Sequence, residues 1–91
     1  PNPFNPETEI RFAVPRSSHV TLTIYNLLGQ EVRRLVDATY PAGFHTVRWD
    51  AKDEGGRPVA SGIYLYRMQG EGLTRKSGKR FVQVRKMSLV R

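Results

Sequence analysis

Cysteine is missing from all 91 residues, which excludes disulfides and thiolate metal sites. Packing and sheet hydrogen bonding must therefore hold whatever fold forms. Long apolar runs are missing too, so no segment reads as a transmembrane helix and no membrane insertion is expected. Helical spacing with caps appears nowhere. Acidic residues stop at Glu71, while Arg75, Lys76, Lys79, Arg80, Arg85, Lys86 and Arg91 follow it. One end of a chain of net charge +7 is thus strongly cationic, which points either to an anionic or protein partner or to a solvated surface that guards a sheet edge. The chain opens Pro1-Asn2-Pro3, without an initiator Met or a leader pattern, as expected of a piece excised or processed from a longer polypeptide.

What is present is alternation. Val20, Leu22 and Ile24 share one face of a strand, and Thr21, Thr23 and Tyr25 take the other. Ile10, Phe12 and Val14 alternate before Pro15, which has no amide hydrogen to give a ladder. Asn26-Leu27-Leu28-Gly29 predicts a turn with positive φ at Gly29, followed by a strand over residues 30–36. After Pro41-Ala42-Gly43, His45, Val47 and Trp49 share parity, with Trp49 the largest core candidate. Residues 50–57 read as a loop, and Val59 and Ala60 as a very short strand. Residues 63–68 are apolar or aromatic on both parities, which predicts a central strand covered on both sides. Val82 and Val84 fall on one parity and Met87 and Leu89 on the other, so a β-bulge near Arg85 and Lys86 is expected, after a long basic hairpin over residues 70–78. The expectation is an all-β, antiparallel, immunoglobulin-like β-sandwich of about seven strands. One domain spans residues 1–91, with 1–6 as linker and opening and 7–91 as the sandwich.

Candidate chemistry is sparse. His19 begins a strand and His45 shares parity with Val47 and Trp49, so both read as structural histidines, and no enzyme activity or cofactor is expected. Asp50, Asp53 and Glu54 beside Gly55-Gly56 are weak metal candidates, because calcium loops place ligands at every second position and these do not. Asp50 and Asp53 are expected instead to accept backbone amides in turns. Among the terminal cations only Phe81 is aromatic, too little for a base-stacking platform, so no nucleic-acid partner is expected.

Several segments in order carry a resemblance: Pro1-Asn2-Pro3-Phe4-Asn5-Pro6, Ile24-Tyr25-Asn26-Leu27-Leu28-Gly29, Trp49-Asp50, Gly56-Arg57-Pro58-Val59, Ser61-Gly62-Ile63-Tyr64 and Lys86-Met87-Ser88-Leu89-Val90-Arg91. The chain resembles the type A C-terminal sorting domains of the bacterial type IX (Por) secretion system, whose sandwich is akin to the immunoglobulin-like domain of flagellar hook-capping proteins. That resemblance implies a secretion signal carried by structure. A cargo domain N-terminal to it in the same polypeptide would pass through the periplasm. The outer-membrane translocon and a sortase-like machinery would then deliver it, secreted or at the cell surface. It also implies that Lys86, Met87, Leu89, Val90 and Arg91 carry translocon recognition. Ala51 stands where glycine commonly follows Trp-Asp in that family, which weakens any claim that this loop has a shared special geometry. Two other classes compete. A carbohydrate- or surface-binding module needs exposed aromatics, for which Tyr25, Tyr40, Tyr64 and Tyr66 are the candidates. A structural or assembly domain like the hook cap is the third.

Overall fold

Alternation of apolar side chains every second residue is satisfied by strands that each give one face to a shared core. A computed structural model describes residues 8–73 and 80–90 and contains six strands among them: β1 (Thr8–Val14), β2 (Ser18–Tyr25), β3 (Glu31–Tyr40), β4 (Gly43–Trp49), β5 (Gly62–Gly72) and β6 (Arg80–Leu89). All pairings are antiparallel. β1 pairs with β4, and the other sheet has the order β3-β2-β5-β6. The opening residues 1–6 and Arg91 lie outside the described residues.

The apolar parities meet between the sheets. Ile10, Phe12 and Val14 from β1, Val20, Leu22 and Ile24 from β2, Tyr64 and Met68 from β5, Leu89 from β6, and Trp49 from β4 are buried together. Val47, on the parity of Trp49, is half-buried against this cluster. Trp49 is fully buried, its ring edge-on to Tyr64 at 5.3 Å, and its indole N–H donates to the Lys52 carbonyl at 2.9 Å. A buried indole needs such a partner. The turn after β2 forms as its residues predict. The Asn26 side-chain oxygen accepts the amides of Leu28 and Gln30, both at 3.0 Å, and Gly29 takes φ 80°.

Four expectations are corrected. Val59 and Ala60 form no strand. The segment makes only a bridge between Lys52 and Pro58, because the Val59 amide bonds the Ala51 carbonyl and folds the chain back on its own loop. β3 runs on to Tyr40 rather than ending at Val36, since β2 offers partners as far as Ser18. β5 is central in its sheet but covered on one side only. Tyr64 and Met68 face the core, while Ile63 on the other face is 39% exposed, as a two-layer antiparallel sandwich permits.

The fourth concerns β6. No bulge interrupts it: its pairing with β5 runs in one register from Gly62↔Leu89 to Glu71↔Arg80. The ladder keeps its phase, so Met87 and Leu89 turn inward and Val82 and Val84 remain outward, 51% and 55% exposed. Register shifts occur instead between β2 and β3, at Leu22/Thr23 and Ile24/Tyr25. The same ladder shortens the predicted hairpin, because Gly70 and Glu71 still belong to β5. Of that hairpin, residues 74–78 lie outside the described residues.

Candidate recognition surface

The carboxylates singled out for metal binding are held by the protein itself. Asp50 Oδ1 accepts from the Arg33 guanidinium at 2.7 Å and from the Lys52 amide at 3.2 Å. Asp53 Oδ1 accepts the amides of Gly55 at 3.0 Å and Arg57 at 2.9 Å, and its other oxygen takes Arg57 Nε at 3.2 Å. Glu54 reaches away from both. Its amide donates to the Val32 carbonyl and its carboxylate accepts the Arg34 amide, both at 3.0 Å. Asp50 and Asp53 therefore accept backbone amides in turns, as expected, and Glu54 bonds the backbone of β3. Among the described residues no three His, Asp or Glu side chains converge as a metal site.

The Arg57 amide holds the Asp53 carboxyl below its ordinary pKa, with help from the Arg57 charge and the Gly55 amide and against desolvation. A depressed pKa contributes stability that is present above the unfolded-state value and is lost as pH falls through the folded one. The melting advantage of the wild type over Asp53→Ala is therefore expected to hold at neutral pH and to shrink below about pH 4. An advantage that stays constant down to about pH 2 would show that the charge is irrelevant. Added calcium or a chelator should leave wild-type melting unchanged, since a ligand of the folded state would raise it.

Ala51 keeps the special geometry that its side chain had put in doubt. It has φ 60° and is fully buried, so this loop does adopt the left-handed geometry that glycine takes without penalty. The conformation costs roughly 1–2 kcal/mol for an L-residue. Burial of its methyl group in the core offsets part of that cost.

Both histidines are committed. His19 Nε2 lies 2.6 Å from Asp37 Oδ1, and His45 Nε2–H donates to the Pro41 carbonyl at 2.8 Å while its ring packs against Phe12 and Tyr40.

Of the residues expected to carry recognition, Lys86, Met87 and Leu89 end β6 and Val90 follows it. Met87 is half-buried and Leu89 buried, while Lys86, Ser88 and Val90 are exposed. Arg91 falls outside the described residues. β6 is the terminal strand of its sheet. Between it and β1 runs a groove of about 470 Å³ lined by Arg11, Phe12 and Ala13, Phe44 of β4, and Gln83 and Arg85 of β6. The Arg11 guanidinium stacks on the exposed Phe44 ring at 4.6 Å. Sequence reading missed this groove because its walls come from strands far apart in the chain.

Comparison with curated proteins finds no match. Among solved structures the chain is similar to FLGD from P. aeruginosa, with TM-score 0.73 and 25% identity over 90% of this chain. It spans 61% of the length of that chain. The family model described as the FlgD Ig-like domain matches residues 4–73, from ahead of β1 to the end of β5. With that match over most of its length, and the two-sheet sandwich to go with it, this chain belongs to the FlgD Ig-like domain family.

Proposed function

We propose that this domain is a non-enzymatic C-terminal sorting signal, which directs a cargo joined to its N-terminal side across the bacterial outer membrane through the type IX translocon. The arrangement of the closing residues carries the reading. Met87 and Leu89 pack the end of β6 against the core, while Lys86, Ser88 and Val90 stand on the surface beside a sheet edge. A receptor can read such an element through its backbone and its charge at once. Sortase-like machinery and a secreted or cell-surface destination belong to the same proposal. A surface-binding module is less well supported. Tyr64 is buried against Trp49, Tyr40 packs on Phe12 and His45, and Tyr66 is packed against the core, so these tyrosines do not form an exposed binding platform.

Fusion to a periplasm-targeted reporter tests the proposal in a bacterium that has this export system. The intact fusion is expected at the surface or in the medium, and deletion of residues 86–91 should abolish export. Because truncation also removes Leu89 from the core, Lys86→Ala with Arg91→Ala is the cleaner variant. Lys86 is exposed, and exposed charges contribute less than about 1 kcal/mol, so the variant is expected to fold, which its melting temperature checks. Retention of that folded variant means that the cations are read, and normal export moves recognition to backbone and apolar shape. An intact fusion that stays inside while the host exports its own cargo would overturn the sorting proposal.

A further inference from the structure

The four-stranded sheet has two outer strands, and they are protected very differently. β3 has two register shifts against β2, and the 50–57 loop covers part of it: Glu54 takes the Val32 carbonyl and the Arg34 amide. These are recognised ways of blunting an edge. β6 has neither. It runs ten residues without a shift, and among the described residues no hydrogen bond outside its ladder with β5 reaches its backbone. Every second backbone amide and carbonyl of such a strand points away from its sheet and is open to pairing.

The side chains along this edge define what can pair. On the outward parity, Val82 and Val84 are exposed, followed by Lys86. On the inward parity, Arg85 lines the groove, with Arg11 across from it on β1 and Phe44 beside Arg11. Arg80 begins the strand. Glu71 stands opposite Arg80 in the ladder, but among the described residues no carboxylate forms an ion pair with Arg80, Arg85 or Lys86, and the sequence has no Asp or Glu after Glu71. A second copy of β6 would place these cations against their own kind, and like charges on paired strands repel.

From this we infer that the β6 edge is a docking site for an extended, acidic strand of another protein, which adds to the sheet as a fifth strand and lies along the groove beside β1. Its side chains alternate. Acidic groups turned toward the groove meet Arg85 and Arg11, and apolar groups on the opposite parity lie beside Val82 and Val84. Main-chain bonds supply affinity in this mode, and the alternating contacts supply selectivity. The inference goes beyond the sorting proposal and holds whether or not the domain exports a cargo.

A blocked ten-residue peptide of alternating Val and Glu, titrated into the isotopically labelled 91-residue chain, tests it by amide chemical shifts. Saturable shifts are expected in β6 and around residues 11–13, with affinity falling as salt rises. Three comparisons sharpen the test. A Val-Lys peptide and a Val-Glu peptide carrying two internal prolines should each bind at least tenfold more weakly. Arg85→Glu with Lys86→Glu should weaken the Val-Glu peptide at least tenfold at unchanged melting temperature; if that variant melts lower, the peptide comparisons on the unaltered chain decide. Shifts confined to β3 or to the sheet's outer face, equal binding of the proline peptide, or no saturable binding at millimolar peptide would each overturn the inference.

Discussion

Trp49→Ala is expected to remove about 3–5 kcal/mol of folding stability, measured as a fall in denaturant midpoint at unchanged slope. Three losses combine at this position. The indole is fully buried between the sheets, its edge-on contact with Tyr64 disappears, and the Lys52 carbonyl loses the indole N–H that bonds it at 2.9 Å. The position also ends β4 and begins the 50–61 loop, so the carbonyl bond ties that loop to the core. Domains of this size are stable by only about 5–15 kcal/mol, so the variant should be close to unfolding at physiological temperature. A loss under about 1 kcal/mol would mean that the two sheets do not close over Trp49.

Gly70→Ala should rank second in its cost to stability, and the reason is space rather than backbone conformation. Gly70 lies opposite Phe81 on the β5–β6 ladder, and the Phe81 ring covers it. A Cβ at Gly70 would overlap the ring's Cζ. The ring would have to swing away and give up its packing against the core edge. The expected cost is about 1–3 kcal/mol, although alanine is otherwise the better strand residue. A double-mutant cycle provides the check. Once Phe81→Ala has removed the ring, Gly70→Ala should cost little, leaving a coupling of about 0.5–3 kcal/mol. Additive costs would show that the ring does not rest on Gly70. Because Phe81 joins the start of β6 to β5, the same cycle measures what holds the proposed docking strand in register.

Much of the architecture was legible because alternation is a local property. Ile10-Phe12-Val14 and Val20-Leu22-Ile24 declare their core faces within a few residues, and Trp49 is the largest apolar side chain on such a face. The turn at Gly29 was legible for the same reason, since Asn26 and Gly29 supply their own hydrogen bonds and backbone freedom. The end of β6 was legible in part: Met87 and Leu89 do point inward, but the bulge inferred from Val82 and Val84 does not exist. That inference assumed that every apolar side chain in a strand must be buried. A two-layer sandwich leaves one face of each sheet to solvent, and exposed valines there need no correction of phase.

Strand parity, the turn chemistry, the cationic C-terminal end and the all-β class were determined by the sequence alone, because each depends on residues close together in the chain. Which strands became edges was decided only by the tertiary structure. That choice rests on the pairing between β2 and β5, which joins distant segments. It also rests on Glu54 reaching back to β3. The three loop carboxylates show the difference most clearly. Their spacing made them poor metal ligands, but only folding assigned Asp50 to Arg33, Asp53 to its own turn and Glu54 to a distant backbone. Within the four-stranded sheet, folding covered the β3 edge and left β6 an edge on which, among the described residues, Arg80, Arg85 and Lys86 form no ion pair. Hydrogen-bond partners and charge neighbours are set by where the chain returns in space, and no local pattern records that.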